Sequence, residues 1–291
     1  MTTTVPTMQE LLEAGVHFGH KVSRGHPKMK PFIYGAREGV HIIDLAKSEE
    51  YLKTAIDFAF NLGKSNKTLL VVATKKQAKE IVDPLVKDAG SFYVTSHWVG
   101  GILTNFDEIR KNFNKLISLQ KEQDAGQLKR YTKKEQLLIA RKLKKFSDEL
   151  GGVADMTKMP DALFIVDAVI EDTAVKEAIR MNIPMAGFSD TNSNPNDFAY
   201  PIPANDDGIK AIKIICDAFI GAYKEGRKIG AANLVIEAEN KVKAEEAAKV
   251  AAAKALETPQ VKLDPIVAEQ AAVIEEEIEK ATIQDSERKV V

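Results

Sequence analysis

The 291-residue sequence predicts a three-layer α/β domain built on a parallel sheet. Three observations carry that prediction. Short runs rich in Val, Ile, Phe and Leu recur along the chain, segments of helical period lie between them, and the alternation breaks only once, at two amphipathic stripes. Strands buried on both faces read as continuous apolar runs rather than alternating ones, so these runs point to a sheet covered by helices on both sides.

The runs are VHII (40–43), TLLVVA (68–73), SFYVT (91–95), DALFIV (161–166) and IPMAGF (183–188). Helices are expected to begin near Ser48, Lys75 and Glu171, with another from Asp207 to about Glu225. The break falls between the third and fourth runs. There Phe106, Ile109, Phe113 and Leu116 step by three, four and three, and Ile139, Leu143, Phe146 and Leu150 by four, three and four. Each set makes one narrow helical stripe. The sequence TKKE, Thr132 to Glu135, is a capping box that starts the second helix, because threonine oxygen and glutamate carboxylate satisfy reciprocal free amides. The polar QDAGQLKR supplies the turn, and Gly151 with Gly152 closes the pair. The expectation is an antiparallel helical hairpin at 105–150, inserted into an α/β domain of residues 1–230 and projecting as a basic arm. Residues 231–291 are rich in Ala, Glu and Lys, are interrupted by Pro259 and Pro265, and hold few large apolar side chains. They read as an acidic extension, partly helical or disordered.

Composition narrows the function classes. A chain 44% hydrophobic and 29% charged is that of a soluble globular protein. No apolar run approaches the roughly 20 residues that span a bilayer, and MTTTVPTMQE lacks the basic and apolar regions of a signal peptide, so the cytoplasm is the expected compartment. The single Cys216 forms no internal disulfide. The formal net charge of -1 conceals a division: residues 231–291 carry 8 Lys+Arg against 13 Asp+Glu, leaving 33 against 29 in residues 1–230. Within that basic body, residues 105–149 hold 12 basic and 7 acidic groups, with Arg110 and Lys111 near the start, and residues 21–37 hold 5 basic and no acidic groups.

Catalytic patterns are missing where this fold class would place them. The turns TKKQAKE and DAVIEDTA lack the glycines that let backbone amides approach a pyrophosphate, and no Walker pattern occurs. Cys216 shares a helical face with Ile212, Ile215 and Phe219 and reads as a core thiol. No serine lies in a nucleophile elbow. A metal is conceivable on chemical grounds, since His17 and His20 are three apart and Asp190, Asp206 and Asp207 lie in later loops that could converge. A phosphate grip is the stronger reading. Lys21, Arg24, Lys28, Lys30 and Arg37 have no local acid, and Pro27 and Pro31 stiffen the segment against helix formation and splay the cations. Lys75 and Lys76 fall where a helix begins, which favours anions, and His97 and Trp98 beside Gly100 and Gly101 could offer RNA a stacking surface.

The motifs AGVHFGH, PKMKPFIYGAR, VHIIDL, HWVGGILTN, PDALFIVDA, KEAIRMNIP and DTNSNP…ANDDGIKAI occur in that order and together resemble the bacterial small-subunit ribosomal protein two family over roughly residues 7–228. The resemblance implies a flavodoxin-like parallel sheet with an inserted coiled-coil hairpin and a structural, non-enzymatic role. That role is to hold small-subunit ribosomal RNA between head and body. It further implies contacts with neighbouring small-subunit proteins, the large messenger-binding ribosomal protein one among them, and with neither membrane nor DNA. Carried over by motif, Lys28, Lys30 and Arg37 become the leading RNA contacts, with Lys75, Lys76 and Trp98 behind them. No cofactor is required; a zinc ion is the one the resemblance allows, at His20, Asp190 and Asp206. The chain departs from the family pattern at His97, where arginine is common, and at Gly25 and His26, where an aromatic is common. Two other classes compete: a Rossmann-like nucleotide-binding enzyme, and a protein-only adaptor acting through the hairpin.

Overall fold

The computed structural model describes residues 5–126 and 131–256, and of Asp124 and residues 237–256 the backbone alone. The chain divides into two compact units, Met1–Val235 and Ile236–Val291. In the first, Thr7 and Glu10 form a capping box that starts α1 (Met8–Glu13). Three strands follow, β1 (Phe18–Lys21), β2 (Ile33–Arg37) and β3 (Val40–Ile43), in an antiparallel sheet of order β1-β3-β2.

This small sheet corrects the sequence reading. VHII was expected among the parallel strands but is the middle strand of the antiparallel sheet. Glu38 and Gly39, at φ 52 and 78, make the tight turn that joins β2 to β3, and so short a connection forces antiparallel pairing. Phe18–Lys21, which carries no strand pattern in the sequence, is also a strand of this sheet. The prolines do not exclude helix either: Pro27–Phe32 is a 3-10 helix with Pro27 in its first turn, where the missing N–H is not needed.

Asp44 caps α2 (Leu45–Lys64), its Oδ1 accepting from the Ala46 amide at 3.1 Å. Then come β4 (Leu69–Val72), α3 (Lys76–Ala89), β5 (Phe92–Val94), α4 (Phe106–Asp124), α5 (Lys133–Leu150), β6 (Ala162–Ile165), α6 (Asp172–Arg180), β7 (Met185–Ser189), β8 (Tyr200–Pro203) and α7 (Ile209–Leu256). Five strands pair in parallel in the order β5-β4-β6-β7-β8, the flavodoxin-like arrangement. β8 was not expected because Pro201 and Pro203 argue against a strand, yet an edge position tolerates residues that cannot donate to a ladder.

Alternate residues of β4 separate the two faces of the sheet. Leu69 and Val71 join Phe164, Phe188 and Ile202 under α2, α3 and α7, where Phe164 stacks on Phe219 at 4.1 Å. Leu70 and Val72 join Leu163, Ile165 and Met185 on the opposite face, packed by α6 and by Trp98, Ile102 and Leu103. Helices α2 and α7 approach through glycines: a Cβ on Gly226 would lie 2.1 Å from the Phe60 carbonyl oxygen, and one on Gly63 2.3 Å from that of Tyr223.

The two amphipathic stripes form α4 and α5, which touch through Phe113 and Phe146, with ring centroids 5.3 Å apart. Thr132 and Glu135 make the expected capping box, the Thr132 amide donating to Glu135 Oε2 at 2.9 Å. Residues 127–130 of the turn lie outside the described residues, as do Pro259 and Pro265. Helix α7, expected to end near Glu225, continues to Leu256. Among the described residues no helix is long and apolar enough to cross a membrane.

Candidate functional site

The acid-free stretch folds into β1, two short 3-10 turns and β2, and the fold explains why its cations stand apart. Met29 is fully buried, its sulfur accepting from Ser189 Oγ at 3.4 Å, while the His26 amide donates to the Thr191 carbonyl at 2.7 Å. With Met29 pinned inward, Lys28 and Lys30 on either side face solvent, as do Lys21, Arg24 and Arg37. None of the five forms an ion pair among the described residues. Lys76, His97, Arg110 and Lys111 are also exposed, though Lys111 pairs with Glu108 at 2.6 Å. Lys76 and His97 follow the C-terminal ends of β4 and β5, and Thr191 follows that of β7. All three therefore sit at one edge of the parallel sheet, to which the His26 bond ties the basic stretch. Arg110 and Lys111 belong to the first turns of α4.

Two expected RNA contacts are corrected. Trp98 is 5% exposed, and its indole nitrogen donates to Glu177 Oε1 at 3.2 Å, so neither ring face is free for a base. Glu177, which sequence reasoning missed, also accepts from the amides of Gly101 (2.7 Å), Leu103 (3.0 Å) and Thr104 (3.1 Å). Burial raises its carboxyl pKa, but these donors outweigh burial and hold it below the ordinary value. Lys75 is the second correction. Its side chain is 10% exposed, and Nζ lies 3.1 Å from Asp167 Oδ2, 2.8 Å from Asp206 Oδ1 and 2.7 Å from Asp207 Oδ1. A lysine so held has its charge compensated by its own carboxylates and is turned away from any phosphate.

Asp206 and Asp190 are buried, and His20 lies beside them, with Nδ1 3.2 Å from Asp190 Oδ1 and Nε2 3.4 Å from Asp207 Oδ2. The buried Nδ1 faces the Asp190 carboxylate at ion-pair distance but without a well-aligned hydrogen bond. One donor atom each from His20, Asp190 and Asp206 lies within 4.8 Å of the others. Burial, with Asp167 and Asp190 nearby, pushes the Asp206 carboxyl up to about 7 even against Lys75. Asp190 holds the His20 imidazole above its usual pKa, against burial. An imidazole nitrogen without an aligned hydrogen bond, grouped with two buried carboxylates, is a donor set that fits zinc. His17, the other member of the spaced pair, stays outside the group, its pKa depressed by burial.

The crevice where sheets of this order take ligands opens between β4 and β6. Here the chain's own side chains occupy it: the Thr74 amide donates to Glu171 Oε1 at 3.2 Å, and Lys75 reaches Asp167. Cys216 is buried in the core, and burial pushes its thiol pKa up, so it is inert. One further feature went unread in the sequence. Tyr34 is 82% exposed, and it joins Met8, Leu12, His17 and Ile42 around an apolar groove of about 250 Å³ beside the cations. The alternation of IYGAR on an antiparallel strand would have pointed outward at Tyr34.

This is a flavodoxin-like protein whose ligand crevice is bridged by its own side chains, beside a splayed cationic surface. Comparison with known proteins agrees. The family model described as Ribosomal protein S2 matches residues 11–226. A protein named "Small ribosomal subunit protein uS2" from Nitratiruptor is 46% identical over 223 residues, 77% of this chain and 84% of that one. One of the same name from Erythrobacter litoralis is 44% identical over 80% of this chain and 94% of its own length. Another from Helicobacter hepaticus is 40% identical over 93% and 99%. The chain belongs to the ribosomal protein S2 family, whose members are structural and not enzymes.

Proposed function

We propose that the protein is a structural constituent of the small ribosomal subunit in the cytoplasm. In this reading it grips folded small-subunit ribosomal RNA between head and body through Lys21, Arg24, Lys28, Lys30 and Arg37. Lys76, His97, Arg110 and Lys111 extend the contact. The observation that carries this reading is the set of five exposed cations without ion pairs among the described residues, two of them held apart by the buried Met29. A folded RNA presents phosphates in fixed positions, so cations already spread on a stiff turn lose little entropy on meeting them. The apolar groove at Tyr34 suits a neighbouring small-subunit protein, the large messenger-binding ribosomal protein one being the candidate the family implies. Zinc is the ion proposed for His20, Asp190 and Asp206. When bound it would tie β1 to the loops after β7 and β8, a cross-link and not a catalyst.

The test is sedimentation of cell lysate through sucrose gradients at low and then high salt, following this chain in each fraction. Co-sedimentation with small subunits that salt strips away is the expected result, and Lys28→Glu, Lys30→Glu and Arg37→Glu together should free the chain even at low salt. Full retention of that triple variant would favour a protein-only adaptor. For zinc, the purified chain should hold close to one ion per molecule by elemental analysis, and His20→Ala should lose it.

A further inference from the structure

Lys75, expected at a phosphate, is turned inward, where its ammonium is the centre of an acidic shell. Three carboxylate oxygens from two segments converge on Nζ: Asp167 after β6, and Asp206 and Asp207 before α7, at 3.1, 2.8 and 2.7 Å. Lys75, Asp167 and Asp206 have side chains 10%, 7% and 3% exposed, so water screens their mutual contacts little, while Asp207, 57% exposed, closes the shell from the solvent side. Counting Asp190 with them, four carboxylates face one ammonium and the His20 imidazole. Such a shell of oxygens around a central positive charge is what a hard divalent cation selects, and Lys75 supplies that charge from within the chain.

We propose that Lys75 sets the metal preference of this site: as a tethered internal cation it occupies the oxygen-rich position between Asp167, Asp206 and Asp207, leaving only the nitrogen-containing position at His20, Asp190 and Asp206 for an ion. Magnesium and calcium need six or more oxygen ligands and do not seek imidazole, so the site refuses them. Zinc accepts few ligands and takes nitrogen readily. Asp206 belongs to both positions, so Lys75 also orients a carboxylate of the metal set. Its role is that of a positioning and selectivity residue.

The inference rests on the zinc reading above but is tested separately from it. The full chain and Lys75→Met are stripped with chelator, checked for native circular dichroism, and titrated calorimetrically with zinc, magnesium and calcium salts. The native chain is expected to bind zinc and show no saturable heat with magnesium or calcium at millimolar concentration. Lys75→Met, which keeps the stem and removes the charge, should gain saturable calcium or magnesium binding at least about tenfold tighter than the native chain, and adding Asp167→Asn should abolish the gain. If Lys75→Met does not fold, Lys75→Gln carries the same comparison. A folded neutral variant whose magnesium and calcium profiles match the native chain overturns the proposal. Absence of zinc binding in the native chain together with a gain in the variant would remove the zinc reading and leave the internal cation standing.

Discussion

Glu177 and Trp98 show what a single residue position can hide. The carboxylate of α6 takes the Trp98 indole and three backbone amides of the segment 101–104, fixing the loop that leads into α4. Replacing Glu177 with alanine removes the acceptor of the buried Trp98 indole and Leu103 amide and of the half-buried Gly101 amide, and each buried donor left unsatisfied costs about 1–3 kcal/mol. Glu177→Ala is therefore expected to lose at least about 3 kcal/mol of stability in urea unfolding. Trp98 is the single tryptophan and reports the change as a red-shifted emission. The same pair predicts a pH dependence. The Glu177 pKa is lower in the folded chain than in the unfolded one, so its contribution is fully present above the ordinary carboxylate range. It is lost as pH falls through the depressed folded value, and Glu177→Gln should flatten that acid limb of the stability curve. The exposed cations at 21–37 were legible in the sequence because acid-free neighbours leave them nothing local to pair with. Trp98 and Lys75 were not, because their partners lie 79 residues away for one and 92 and 131 for the other. Local sequence carries no sign of such distant carboxylates.

Among elements, those with a strong internal period were legible. β4, β6 and β7 announce themselves as continuous apolar runs, and the Thr132 capping box with its following stripe placed the start of α5. The antiparallel sheet was not legible as such, since its identity depends on the Glu38–Gly39 turn rather than on the apolar content of VHII. β8 hid behind two prolines that only an edge tolerates. The crossing of α2 and α7 gives an element-scale test with an internal control. A methyl on Gly226 would press on the Phe60 carbonyl at 2.1 Å, whereas one on Gly221 of the same helix would meet nothing within 4 Å. Gly226→Ala is expected to destabilise by about 1–3 kcal/mol because the helices must separate. Gly221→Ala should stabilise by up to about 1 kcal/mol through helix propensity alone. Paired thermal melts check both, and equal shifts in the two variants would count against the close crossing.

At the scale of the whole molecule, charge division is what a near-zero net charge concealed. A body with 33 basic against 29 acidic groups and a C-terminal stretch with 8 against 13 sum to -1, and composition alone would have argued against a nucleic-acid partner. The family match over residues 11–226 falls within the basic part. If the cations of the 21–37 stretch meet phosphates, each contact releases counterions, and affinity must fall with salt in proportion to the number of contacts. The most direct measurement is therefore the affinity of the purified full chain for small-subunit ribosomal RNA across a salt series, beside the Lys28→Glu, Lys30→Glu, Arg37→Glu variant. A steep log–log decline is expected for the native chain and a slope shallower by roughly 2–3 for the variant, with weaker binding at every salt. Equal slopes and affinities for the two proteins would contradict the phosphate grip.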